Sequence, residues 1–228
     1  YPAPGPDFDW ASVGVPADWP HHLTGFAAHW SKNENFSAWF DRWFLNLFPR
    51  EEPFVYNGGG YQTLSFIPTL GTMILGLLAG GVLRSDRTER KKVEWLLAAG
   101  VAFLASGWLL GALGVNPVVK RIWTPSFALF SGGWCFLFTA AFYWVMDVRR
   151  HVRWAFPLTV LGMNSIAAYC MSWVLVEPAG EALVRHLGRA PFLVLGPAFE
   201  RTLVGAGALL VVWLVLLWMH RRRIFIRI

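Results

Sequence analysis

AFPLTVLGMNSIAAYCMSWVLV, residues 155–176, is an apolar stretch without a single charged side chain. A helix rises about 1.5 Å per residue, so about 20 apolar residues cross the hydrocarbon core of a bilayer. Further apolar blocks of similar length occur at residues 63–83, 93–114, 125–146 and 200–219. The sequence therefore predicts an all-α fold, a polytopic transmembrane helix bundle with five spans.

The composition points to the same class of protein. Hydrophobic residues make up 55% of the 228 residues and charged residues 15%, whereas about a quarter of the residues in soluble domains are charged. No histidine or carboxylate lies in the interior of a block, which argues against a haem held by histidine and against an intramembrane proton relay. The two cysteines, Cys135 and Cys170, lie in different blocks and predict neither a disulfide framework nor a metal site.

The positive charge is concentrated in three short stretches. Of the 20 Lys and Arg residues, 12 lie at 84–92, 147–153 and 220–228, next to the ends of blocks. Because Lys and Arg favour the cytoplasmic side of a membrane, these stretches and the C-terminus are predicted to be cytoplasmic. Five crossings then place residues 1–62 outside, in the periplasm if the protein belongs to a bacterial inner membrane. Orientation accounts for the net charge of +6, so nucleic acid is not predicted as a partner.

Residues 1–62 form a segment of different character. It begins with a loop rich in proline and glycine and continues with a predicted amphipathic helix at 35–48, capped by Asn33 or Asn35. The apolar positions of this helix recur at helical spacing and are Phe36, Trp39, Phe40, Trp43, Phe44, Leu47 and Phe48. Two interpretations remain open: a helix lying in the membrane interface, and a helix whose stripe packs on the ends of the spanning helices.

Two local patterns predict how the spans begin and pack. Thr124 followed by Pro125 predicts an N-cap and the first helical residue of the third span. The pairs Gly76/Gly80 and Gly107/Gly111 have the GxxxG spacing that allows helix backbones to approach closely. We therefore expect close helix contacts at both pairs.

Polar residues interrupt the stretch 155–176 near its middle. Asn164 and Ser165 lie there, and Tyr169 and Ser172 continue the same side of a helix. Unpaired polar groups are costly in hydrocarbon, so this side is predicted to face other helices or a cavity. Hydrogen bonds between helices and the lining of a ligand channel are both compatible with the pattern.

The loop VNPVVKRIWTPS, residues 115–126, is predicted to lie outside, yet it carries Lys120 and Arg121 beside Trp123. Two cations and an aromatic ring at the mouth of a bundle suit an anionic or sugar-like ligand. Contact with lipid headgroups, or with the loop that contains Glu51 and Glu52, is the other interpretation.

Several segments, taken in order and spacing, resemble one family. They are LSFIPTLGTMILGLLAG (64–80), KRIWTPS (120–126), FPLTVLGMNSIAAY (156–169) and RRRIFIRI (221–228). Together they resemble the C-terminal half of the heparan-α-glucosaminide N-acetyltransferase family of transmembrane acyltransferases, including its bacterial relatives. Asp41-Arg42, followed by an apolar turn, also resembles the Ile-Asp-Arg-Leu segment of that family.

The resemblance implies the C-terminal half of an enzyme that transfers an acetyl group from cytoplasmic acetyl-CoA to an amino sugar or glycan across the membrane. Acetyl-CoA would be the co-substrate, with no permanently bound cofactor. The partners would be the lipid bilayer and the N-terminal half of the same protein or other membrane subunits. The catalytic histidine of the family lies in a loop that no segment here matches, so no catalytic residue is assigned. The chain begins at Tyr1 rather than Met, and we expect it to be a fragment or a processed product.

Two sets of candidate residues follow from the patterns and the resemblance. Candidates for binding substrate or lining a channel are Asn164, Ser165, Tyr169, Lys120, Trp123 and Ser126. Candidates for holding the phosphates of coenzyme A are Arg84, Arg87, Arg149, Arg150 and Arg221. No metal ligands are predicted. The alternative function is a non-catalytic membrane scaffold or accessory subunit of a larger complex.

Overall fold

The computed structural model describes residues 1–226. The last two residues of the RRRIFIRI segment, at 227 and 228, lie outside the described residues. The chain is predominantly helical and divides into two compact units, Tyr1–Arg150 and the chain from His151 onward.

The first unit contains a small antiparallel hairpin and four α-helices. They are β1 (Trp30–Ser31), β2 (Glu34–Asn35), α1 (Phe36–Leu45), α2 (Phe66–Arg84), α3 (Glu89–Ala112) and α4 (Pro125–Tyr143). The second unit contains α5 (Phe156–Met163), α6 (Ser165–Val174), α7 (Val176–Leu187) and α8 (Glu200–Arg221). A turn of π-helix, Trp144–Val148, continues α4.

Four segments are long and apolar enough to cross a membrane: Thr63–Arg84, Glu89–Ala112, Pro125–Val148 and Pro197–Arg221. The pair Arg153–Met163 and Ser165–Val174 makes a fifth candidate if it is counted as one bent span. In the apolar 18-residue stretch of each segment only 6% to 22% of the residues are buried, which leaves these helices apolar side chains that can contact lipid. A helical membrane protein with four or five candidate spans is therefore confirmed.

The prediction of one straight helix for the fourth span, residues 155–176, is wrong. α5 ends at Met163, Asn164 takes the non-helical angles φ −131° and ψ 44°, and the chain turns by 74° there. A second interruption at Leu175 separates α6 from α7, where Pro178 has no N–H to donate to the carbonyl of Val174. Helix then continues to Leu187, beyond the predicted end of the span.

The core of the second unit lies between α5, α6 and α8. It consists of Val160, Ala167, Val212, Leu216 and Met219. Further along, α7 packs against the first half of α8, where a Cβ on Gly180 would lie 3.2 Å from a methyl group of Val204. The segment from α6 to α7 therefore runs antiparallel to α8.

Glycine decides how closely α3 and α4 approach. A Cβ on Gly107 would lie 2.6 Å from the backbone nitrogen of Phe130, so the predicted close contact at Gly107 is confirmed. Gly111 faces a loop residue instead of a helix. Gly76 and Gly80 on α2 face open space among the described residues, and the expected close contact at that pair is wrong for this part of the chain.

The predicted helix at 35–48 begins as expected and ends early. Asn35 Oδ1 accepts a hydrogen bond at 3.0 Å from a backbone N–H of the first turn, so Asn35 is the cap. α1 ends at Leu45, because the side chain of Asn46 binds the following loop through both backbone groups of Phe54, at 2.7 and 3.0 Å. These bonds turn the chain away from the helix axis.

α1 turns its polar side toward the protein and its aromatic side outward. The carboxylate of Asp41, 3% exposed, accepts hydrogen bonds at 3.1 and 3.2 Å from the N–H of Thr63, where the first candidate span begins. The exposed positions of the stripe are Phe36, Trp39, Trp43, Leu47 and Phe48. Five of the seven stripe residues are therefore exposed, and the polar side of α1 makes the hydrogen bonds to the start of the first candidate span.

Candidate functional site

One end of the first unit gathers the N-terminal segment and the loop between α3 and α4. Ser65 Oγ donates to the carbonyl of Ile122 at 3.2 Å, and Trp30 Nε1 donates to the carbonyl of Val115 at 3.2 Å. α2 and α4 begin at this end and α3 finishes there, so the loop 113–124 is bounded on several sides by protein.

The loop is fastened to the start of α4 by buried polar side chains. Thr124 Oγ1 donates to the carbonyl of Pro117 at 2.7 Å and accepts from a first-turn N–H of α4, which confirms Thr124 as the N-cap. Ser126 is fully buried, and its Oγ donates to the same Pro117 carbonyl at 2.8 Å. Its backbone N–H donates to Asn116 Oδ1 at 2.9 Å. Ser126, a predicted ligand-binding candidate, therefore shapes the loop from beneath.

Trp123 is held in an uncommon backbone conformation. Its φ of +50° lies in the left-handed region, which a bulky residue rarely adopts. The indole Nε1 donates to Thr72 Oγ1 at 3.0 Å, and the ring contacts Phe127 edge to face with centroids 5.0 Å apart. Such strain persists only where the surroundings fix it, and it clusters at binding and catalytic sites.

Trp123 lines a cavity of about 340 Å³, here called the aromatic pocket. Its other aromatic lining residues are Tyr1, Phe26, Trp30 and Phe36. The volume lies within the range of small-molecule sites, and aromatic faces of this kind stack on sugar rings or contact aliphatic chains.

His29 also lines the aromatic pocket and is absent from the predicted site residues. Its Nδ1 lies 3.1 Å from the carbonyl oxygen of Tyr1. Because a carbonyl only accepts, Nδ1 carries the hydrogen in this contact. No sequence motif marks His29; the fold of residues 1–35 brings it to the pocket.

Lys120 and Arg121 line a second cavity of about 610 Å³, here called the cationic pocket. Lys32 and His21 from the N-terminal segment also line it, and the described lining residues include no carboxylate. Lys32 Nζ lies 5.2 Å from the centre of the Trp19 ring, within the range of a cation–π contact. The pocket therefore concentrates positive charge next to aromatic surface.

The predicted alternative for this loop involved Glu51 and Glu52. Among the described residues, neither glutamate forms an ion pair with Lys120 or Arg121. Contact with the loop that contains them, residues 49–62, is nevertheless present: the Arg121 guanidinium donates to the carbonyl of Gly59 and lies 6.0 Å from the centre of the Tyr61 ring.

Three of the predicted substrate or channel candidates belong to the second unit. Asn164 is fully buried; its Nδ2 donates to the carbonyl of Ile224 and its Oδ1 accepts from the N–H of Ile226, both at 3.0 Å. Ser165 and Tyr169 are exposed, and Tyr169 retains 66% of its accessible surface. The amide of Asn164 is therefore occupied within the protein, while Ser165 and Tyr169 face outward.

The predicted phosphate-binding arginines lie at helix ends. Arg84 ends α2, Arg149 and Arg150 follow α4, and Arg221 ends α8. Arg87 lies 5.9 Å from the centre of the Trp95 ring, and the two residues line a shallow cavity with Lys91 and Glu94. Arg87 is thus a predicted phosphate-binding arginine that the structure places at a cavity.

The four segments that carry the resemblance meet in pairs. Trp123 and Thr72, 51 residues apart, join KRIWTPS to the segment 64–80. Asn164 and Ile224, 60 residues apart, join GMNS to the segment 221–226. Comparison of the chain with protein-family models, with curated proteins and with solved structures finds no match.

Proposed function

We propose that this chain is the C-terminal half of an integral membrane acyltransferase. The enzyme would move an acetyl group from cytoplasmic acetyl-CoA to an amino sugar or glycan on the outer side. The observation that carries the proposal is the pairing of the four resembling segments. The four segments resemble one family in their order along the chain. They also contact one another in pairs, across 51 and 60 residues, so each pair belongs to one folded arrangement.

In the proposed orientation, the basic helix ends face the cytoplasm and the N-terminal segment lies outside, in the periplasm of a bacterial inner-membrane protein. The aromatic and cationic pockets then open on the outer side, where the acceptor would dock. Arginines at the opposite ends of the helices, Arg84 and Arg87 among them, would attract the phosphates of coenzyme A.

The same orientation gives α1 a place in the membrane interface. A helix surrounded by water buries its apolar face and exposes its polar face, whereas α1 buries Asp41 and exposes Trp43. The hydrogen bonds from Thr63 tie α1 to the start of a candidate span. Tryptophan and phenylalanine at that depth match the aromatic belt of membrane proteins.

The proposal is tested by expressing the chain with its N-terminal half and measuring acetyl transfer in membranes. Lys120→Ala or Trp123→Ala should raise the KM for the acceptor about tenfold, the effect of losing one positioned contact to a charged or aromatic group. The KM for acetyl-CoA should stay unchanged. Lys91→Ala, at the other end of the first unit, is the matched control.

A shift confined to the acetyl-CoA KM would contradict the acceptor role of this loop. Absence of transfer by the complete wild-type protein, together with a stable complex with other membrane subunits, would favour the scaffold alternative instead.

A further inference from the structure

The aromatic pocket and the cationic pocket share one wall. Trp30 and Ile122 line both cavities. The Trp30 indole is fixed to the carbonyl of Val115, and the Trp123 indole is fixed to Thr72. The two cavities are therefore adjacent, and the indole in their shared wall is held in place.

The aromatic pocket lies where two candidate spans begin. Ile67 and Pro68 come from the first turns of the first candidate span, and Pro125 is the first residue of α4. Two of its lining side chains, Phe36 and Ile67, are more than half exposed. Span ends lie at the boundary between acyl chains and headgroups, so this pocket opens at the depth of the upper acyl chains.

The cationic pocket supplies the complementary half of an amphiphile site. Lys32, Lys120 and Arg121 carry three formal positive charges around one cavity, and in the described chain none of them forms an ion pair. Lys32 and Arg121 are oriented by the rings of Trp19 and Tyr61. Ammonium and guanidinium groups of this kind bind phosphate oxygens.

We infer that the two pockets together bind a phosphate-bearing anionic lipid of the surrounding leaflet. The phosphate lies among Lys32, Lys120 and Arg121, and an acyl chain enters the aromatic pocket past Trp30. A water-soluble anion would leave the aromatic pocket without a ligand, and the headgroup cation of a zwitterionic lipid would be repelled by the three cations. The proposed acceptor would dock in the same pockets, so lipid and acceptor would compete there. Lipid binding is measured without acetyl transfer, so failure of one proposal is distinguishable from failure of the other.

Phosphatidylglycerol is the probe, and phosphatidylcholine is the zwitterionic comparison. Binding of the radiolabelled lipids is measured with the purified full chain in neutral detergent micelles. The double variant Lys32→Gln/Lys120→Gln should lower the affinity for phosphatidylglycerol at least about tenfold, since each cation near a lipid phosphate contributes to binding. Arg90→Gln/Lys91→Gln removes the same charge at the other end of the first unit and should leave the affinity unchanged.

The single variant Lys120→Gln keeps the test valid if the double variant does not fold. The side chain of Lys120 is exposed and forms no hydrogen bond or ion pair in the described chain, so its replacement should leave the fold intact and still weaken phosphatidylglycerol binding several-fold. Ile67→Trp, which fills the aromatic pocket, should weaken lipid binding without affecting binding of glycerol phosphate.

Three results would overturn the inference. The first is unchanged phosphatidylglycerol affinity in the lysine variants, which would remove the headgroup contact. The second is full competition by glycerol phosphate at equal concentration, which would identify a site for soluble anions. Equal affinities for phosphatidylglycerol and phosphatidylcholine in the wild type would likewise exclude recognition of the anionic headgroup.

Discussion

Asn164 binds two backbone groups of another segment with one planar amide. It donates to the carbonyl of Ile224 and accepts from the N–H of Ile226, as a neighbouring β-strand would. This use of its side chain accounts for the helix break, because asparagine readily exchanges helical geometry for local hydrogen bonds. The polar residue near the middle of an apolar stretch therefore serves to join two parts of the second unit.

Asn164→Leu should lower the stability of the folded protein by about 1–3 kcal/mol, because both hydrogen bonds are lost and polar backbone groups lose their partners. Thermal unfolding in detergent, followed by circular dichroism, measures the change. Ser165→Ala is the matched control; Ser165 is exposed, so its replacement should change the stability by less than about 0.5 kcal/mol. An unchanged melting temperature combined with lost acetyl transfer would instead assign Asn164 to a ligand channel.

At the scale of the helices, the close packing of α3 against α4 requires that Gly107 has no side chain. Gly107→Ala would place a methyl group 2.6 Å from the backbone of Phe130, which real atoms do not tolerate without movement of one helix. We expect a loss of stability of about 1–3 kcal/mol or more.

Gly80→Ala provides the comparison for Gly107→Ala. A Cβ there meets open space, so the change should be neutral or stabilising by up to about 1 kcal/mol through helix propensity. Unfolding of both variants in the same detergent separates the two cases. A clear loss of stability in Gly80→Ala would show that α2 has a close partner helix at that position.

The outward aromatic side of α1 predicts where its side chains lie in a bilayer. In a background with Cys135→Ala and Cys170→Ala, a spin label at Trp43→Cys should collide more with oxygen than with a water-soluble nickel complex. A label at Ser12→Cys, in the N-terminal loop, should show the reverse order. Equal nickel access at both positions would place α1 in water.

The sequence predicted the features of the fold that depend on contacts within one helical turn. The Thr124 cap and the start of α1 at Asn35 depend on residues within one turn, and both could be inferred from the sequence. The break at Asn164 depends on partners 60 residues away, and the contact at Gly107 depends on which helix lies opposite. The pattern of residues along one segment does not contain that information.

The residues of the candidate site likewise fall into those that the sequence predicted and those that it did not. Lys120 stood out because it carries positive charge on the predicted outer side, and the structure does place it in a cavity. His29 and Trp30 carry no such signal, and Lys32, although it is a cation on the same predicted side, has no sequence pattern that links it to Lys120. They reach the pockets because the small hairpin and the short helical turn before it fold back onto the loop.

For the whole molecule, the distribution of basic residues predicts the orientation in the membrane. With Cys135 and Cys170 replaced, Ser12→Cys should react with a membrane-impermeant maleimide from outside in intact cells. Ser85→Cys, in the turn between α2 and α3, should react only after the membrane is opened. Labelling of both positions from the same side would contradict the orientation and, with it, the outer location of the two pockets.

The link between Asn164 and Ile224 also sets an order of events during synthesis. At about 5–20 residues per second, the ribosome delivers the partners of Asn164 roughly 3–12 s after Asn164 itself, because 60 residues separate them. Throughout that interval the amide remains unsatisfied in a nascent, apolar chain. The second unit is therefore exposed to the proteases and chaperones of membrane quality control until the partner segment arrives, and slow translation of that segment lengthens the exposure.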